Sequence, residues 1–173
     1  LNIDGGAATA IENSGTFTWN VQLNSDRHGT ITSAGPKTIN NSGTLTINGP
    51  GVVKNTSTTN TTAAALLNNG TVNLNCRSDA SFNLRESYPT IKAEGAGSAI
   101  VTSKPMTICN PVIGNSTSSA ALVIDEGCKV QIVDNGQLYT DPQAGSVTNN
   151  NGPAVEIRRK STLTVNGTVT GKG

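Results

Sequence analysis

The sequence predicts an all-β fold built as a β-solenoid, and three observations lead there. Composition comes first: of 173 residues, 13% are charged and 3% aromatic, with 19 glycines and an evident excess of Thr, Asn and Ser. Threonine is β-branched and suits strands, while Asn and Gly accept the left-handed backbone of tight turns, so this vocabulary spells short strands separated by turns. Second, one phrase of about ten residues occurs six times. Third, apolar side chains inside each phrase alternate with polar ones, the period of a strand with one buried face.

Taken in order, the phrases are "AIENSGTFTW" (Ala10 to Trp19), "TINNSGTLTI" (Thr38 to Ile47), "ALLNNGTVNL" (Ala65 to Leu74), "AIVTSKPMTI" (Ala99 to Ile108), "LVIDEGCKVQI" (Leu122 to Ile132) and "EIRRKSTLTV" (Glu156 to Val165). A first apolar column holds Ile11, Ile39, Leu66, Ile100, Val123 and Ile157, recurring at intervals of 28, 27, 34, 23 and 34 residues. Two further columns hold Phe17, Leu45, Val72, Met106, Val130 and Leu163, then Trp19, Ile47, Leu74, Ile108, Ile132 and Val165. A period of this length without helices fits coils that bury their apolar faces only by stacking, about six coils of 23–34 residues. "GTITSAG", "GVVKN", "SFNL" and "QLYT" are the expected third strands of such coils. Between the first and second columns, Asn13, Asn41 and Asn68 fall at equivalent bends and are expected to stack as a side-chain amide ladder. Residues 1–173 read as one domain.

Charge and termini narrow the function classes. The net charge is +1, and the cations are scattered except at Arg158-Arg159-Lys160, which argues against nucleic acid and against an anionic membrane surface. No apolar run reaches membrane-spanning length, so no membrane insertion is expected. The chain starts at Leu1, and its single methionine is Met106, the pattern expected of a piece excised from a larger protein.

The phrases "NNSGTLTINGPG" and "NNGTVNLN" resemble the right-handed, single-stranded parallel β-helix repeats of pectate-lyase-like adhesive regions in bacterial surface proteins. That resemblance implies an extracellular, cell-surface location and a non-catalytic role in adhesion or in binding a polysaccharide or a host or cell-surface glycan. The alternatives are a lyase or hydrolase acting on uronic-acid polymers, and a purely structural stalk. Polysaccharide hydrolases of this fold carry the signatures NTD, DD, GHG and RIK. Here His28-Gly29 and Arg158-Arg159-Lys160 are the only partial matches, and about five coils separate them. No catalytic residue is assigned.

Binding residues are sought where the repeat is interrupted, because loops on a rigid scaffold carry function. The long third and fifth intervals contain Arg85, Glu86 and Tyr88, and Tyr139 and Asp141. Tyrosine offers a sugar an apolar body and a hydrogen-bonding tip, though each ring serves equally well to pin its own loop. Asp125, Glu126 and Asp134 share one coil and form a weak calcium set, the one cofactor these residues admit. Cys76 and Cys109 follow their first-column residues by ten and nine positions, so they are expected to be neighbours within disulfide reach, with Cys128 free. Open solenoid ends expose unpaired backbone, so flanking domains of the parent protein or end-to-end self-association are expected to cover them.

Overall fold

The computed structural model describes residues 1–21, 29–74, 89–133 and 145–172, and among these the chain is all-β without helices. The nineteen strands among the described residues fall into a repeating cycle of three. The first face is a seven-stranded parallel sheet of β1 (Asn2–Asp4), β4 (Thr30–Ser33), β7 (Val52–Asn55), β10 (Thr90–Ala93), β13 (Val112–Gly114), β16 (Ser146–Asn149) and β19 (Thr168–Thr170). The second is a six-stranded sheet of β2 (Ile11–Asn13), β5 (Lys37–Asn41), β8 (Ala64–Asn68), β11 (Ser98–Thr102), β14 (Leu122–Ile124) and β17 (Val155–Ile157). The third face is split into two three-stranded sheets. One holds β3 (Thr16–Asn20), β6 (Thr44–Asn48) and β9 (Thr71–Leu74), the other β12 (Met106–Ile108), β15 (Lys129–Val133) and β18 (Thr162–Asn166). The chain visits the three faces in turn, six times over, and β19 returns to the first. Every pairing is between a strand and its counterpart one rung away. Parallel strands in stacked sheets are the arrangement a β-helix has.

Inward apolar columns make the core, two of them on the third face. On the first face the column is Ile31, Val53, Ile91, Val112 and Val147, in register and all without solvent contact. Each such burial is worth about 1.5–3 kcal/mol, and the columns meet along the axis of the stack. Trp19 closes the first rungs: its indole lies where a Cβ on Gly29 or Gly51 would sit, so glycine at both positions is what admits the ring.

The structure refines the repeat in two places. Expected third strands at "GTITSAG" and "GVVKN" are β4 and β7, but later rungs use Thr90–Ala93, Val112–Gly114 and Ser146–Asn149. "SFNL" and "QLYT" lie outside the described residues. The first apolar column also continues differently. Ile100 pairs with Leu122, and Leu122 with Val155, so Val123 and Ile157 do not hold the expected places. The cause is the bend that follows. In the fifth and sixth rungs it is two residues longer than in the second, with Glu126 and Gly127, then Arg159 and Lys160, at positive φ.

The same bends explain the amide ladder. In the first three rungs the tight turn leaves backbone groups that side chains must satisfy. Asn13 Nδ2 donates to Asn41 Oδ1 at 2.7 Å, and Asn41 Nδ2 donates to Asn68 Oδ1 at 3.0 Å. Asn68 Nδ2 then donates to Thr102 Oγ1 at 3.1 Å. Asn13 and Asn41 also donate to the carbonyls of Thr44 and Thr71, both at 3.0 Å. The next two members of this column are Ile124 and Ile157. Their longer turns close on themselves, Cys128 N–H donating to Asp125 O and Ser161 N–H to Arg158 O, so an apolar side chain suffices there.

Candidate functional site

Connections from the third face to the first alternate in length. In the second, fourth and sixth rungs they are Gly49 to Gly51, Cys109 to Pro111, and Gly167 alone; in the first, third and fifth they run over 21–29, 75–89 and 134–145. The long connections therefore leave the stack from one edge, two rungs apart. Arg85, Glu86, Tyr88, Asp134, Tyr139, Asp141, Cys76 and His28 lie on them, outside the described residues. Cys109 is disulfide-bonded and Cys128 is free and buried. Burial, the leading cause, pushes the Cys128 thiol above its ordinary range.

Asp125 and Glu126 occupy the bend after β14, and the stacked bend of the next rung brings Arg159 onto both. Its Nε lies 3.2 Å from Asp125 Oδ1, and its Nη1 donates to Glu126 Oε1. A cation bound at this pair would have to displace the guanidinium. Among the described residues no group of three or more His, Cys, Asp or Glu side chains is placed to hold a metal ion. Arg158 is held separately by Glu156, Nε to Oε1 at 2.6 Å and Nη2 to Oε2 at 2.8 Å.

Three surface features were missed from sequence. On the first face, register brings Lys54 beside Lys92, and Glu94 answers both at 3.5 and 2.9 Å. The Lys92 hydrogen bond, aided by both ammonium charges, holds the Glu94 carboxyl below its usual range. On the second face, a groove of about 410 Å³ is lined by Val101 and Val123 together with Thr61, Thr62, Ser118, Ser119 and Lys37. Lys37 Nζ donates to Thr62 O at 2.5 Å, and burial lowers its pKa. The first depends on third-strand positions that the phrases do not supply, the second on how the turns at 61–62 and 118–119 fall beside the second face.

The third feature is a cleft of about 490 Å³ on the third face, where β9 and β12 lie side by side without ladder pairing. Pro105, directly before β12, brings no N–H to a ladder at this point. The flanking core residues are correspondingly opened: Val72 is 8% and Leu74 9% exposed, against 0% for Leu45 and Ile47 one rung below. Thr71, Asn73, Thr107, Gln131, Thr162 and Thr164 present amide and hydroxyl tips to it, and Lys129 the single charge among its described lining residues.

No family model, curated protein or solved structure matches the chain. No helix among the described residues is long and apolar enough to cross a membrane.

Proposed function

We propose that the chain is a right-handed, single-stranded parallel β-helix serving as a non-catalytic adhesion or carbohydrate-binding module of a bacterial cell-surface protein. The observation that carries this reading is the alternation of long and short connections along one edge of a rigid three-faced stack. Such a scaffold sets long connections at a fixed spacing of two rungs, roughly 10 Å, which is a way to present a row of contacts to an extended polymer. The right hand follows from the general handedness of crossovers between parallel strands. The disulfide at Cys109 favours an oxidising, extracellular setting.

A polysaccharide lyase or hydrolase needs carboxylates free to exchange protons or hold calcium. The described carboxylates are engaged by neighbours, Asp4 by the Gly6 N–H, Glu12 by the Asn40 amide, Glu94 by two lysines, Asp125 and Glu126 by Arg159, and Glu156 by Arg158, while Asp26, Asp79, Glu86, Asp134 and Asp141 lie outside the described residues. At the far end of the stack Ile157, Val165 and Val169 remain 51%, 44% and 39% exposed. A flanking domain or a second copy is the partner proposed for that apolar end.

The test is retention on a panel of immobilised polysaccharides and host glycans, run beside an assay for unsaturated or reducing ends with calcium present. Retention without product release is the expected result. Product release would establish the enzyme, and neither retention nor release would leave the structural stalk.

A further inference from the structure

We infer that the cleft between β9 and β12 is the glycan subsite, and that it takes a polysaccharide whose hydroxyl-rich sugars carry one carboxylate each. This rests on the carbohydrate-binding reading and moves the contact from the tyrosine-bearing connections to the third face itself.

Among the described strands the first two faces are continuous sheets of seven and six strands, and only the third is interrupted. The interruption sinks the surface and partly uncovers an apolar floor of Val72, Leu74 and Met106, which suits the apolar face of a sugar ring. Around it stand side chains held on strands rather than loops. Asn73 Nδ2 donates to Thr46 Oγ1 at 3.4 Å, a neighbour bond that orients the amide. Gln131 and Thr164 are register partners on adjacent strands, as are Lys129 and Thr162, and Thr107 pairs with Gln131 on the other side. The hydroxyl and amide tips are therefore repeated at the rung spacing of about 4.8 Å, a regular ladder that a polymer lying along the stack meets again and again.

Charge selects among polymers. No carboxylate is among the described lining residues, and Lys129 is the only ionised group. An anionic substituent is attracted there, and no described lining residue is an acid to oppose it. One ammonium among six neutral polar tips does not match a densely sulfated chain, which calls for clustered cations. It matches a sugar with one carboxylate set among hydroxyls.

The experiment uses the whole 173-residue chain and the variants Lys129→Gln and Thr107→Trp, with Tyr88→Ala as comparison. Lys129 and Thr107 are solvent-exposed, so neither change disturbs the core, and equal thermal midpoints verify this. Affinities for polygalacturonate, its fully methyl-esterified form and dextran sulfate are measured by affinity electrophoresis or calorimetry. The expected result is binding to polygalacturonate, weakened about tenfold or more by Lys129→Gln, by Thr107→Trp and by esterification, and unchanged by Tyr88→Ala. Binding that both cleft variants retain in full would overturn the subsite while leaving the glycan-binding reading standing. Tighter binding to dextran sulfate would overturn the carboxylate assignment. Failure to retain any polysaccharide would remove this inference together with the reading beneath it.

Discussion

Replacing Asn41 by alanine tests the amide ladder at its centre. The side chain is fully buried; its Nδ2 donates to Asn68 Oδ1 and Thr71 O, both at 3.0 Å, and its Oδ1 accepts from Asn13 Nδ2 at 2.7 Å. Nδ2 also donates to Gly43 O at 3.3 Å, and three of the four partners keep another bond: Asn13 Nδ2 to Thr44 O, Asn68 Oδ1 from the Gly70 N–H, and Gly43 O from the Thr71 N–H. Each lost bond costs about 0.5–1.5 kcal/mol net, and a buried acceptor left short of its donor up to about 3. The substitution should therefore cost about 3 kcal/mol, read as a lower urea midpoint at unchanged m-value. Asn48→Ala is the control: Asn48 also donates to an asparagine one rung away, Asn20 Oδ1 at 2.8 Å, but at the surface, and its loss should cost less than about 0.5 kcal/mol. Equal costs for Asn41 and Asn48, or less than about 1 kcal/mol at Asn41, would refute the claim that the tight bend depends on the buried amide.

Three further outcomes follow from the same geometry. Gly43→Ala drives a Cβ into the Gly15 carbonyl and to within 2.7 Å of the Ser14 carbonyl carbon, whereas a Cβ on Gly15 meets nothing within 4 Å. Urea melts should show a loss of about 2 kcal/mol or more for the first and under about 0.5 for the second. Because the folded state depresses the Glu94 pKa, chiefly through Lys92, its stabilising effect is present above the ordinary carboxylate pKa and fades as pH falls through the folded value. Lys92→Met should accordingly reduce stability at neutral pH and leave a shallower decline into acid, seen by comparing melts at several pH values. Thiol labelling of denatured protein should find one reactive cysteine before reduction and three after, and the buried Cys128 should stay unlabelled in the native state; three thiols before reduction would refute the bridge.

The alternation of apolar and polar residues was enough to place the third face and the first four rungs of the second. Phe17 with Leu45, Val72 beside it, and Met106 with Val130 and Leu163 are register partners as the phrases align them. The asparagine ladder was equally legible, because an Asn recurring at a tight bend has few other uses. What the sequence by itself determined is thus local and periodic: strand content, the stacking repeat and the polar bends, all set by propensity and a period of two.

Tertiary structure decided the rest. "LVI" at 122–124 is apolar throughout and all three side chains are buried, so periodicity could not say which belongs to the inward column; the length of the bend beyond it did. The Lys54, Lys92 and Glu94 cluster joins residues whose neighbourhood exists only once strands separated by a long connection pair. The cleft arises because one face fails to pair across β9 and β12 while the other two continue, and a one-dimensional repeat treats all rungs as equivalent. Surfaces made by the relation between rungs are set by register and interruption, which are global properties of the stack.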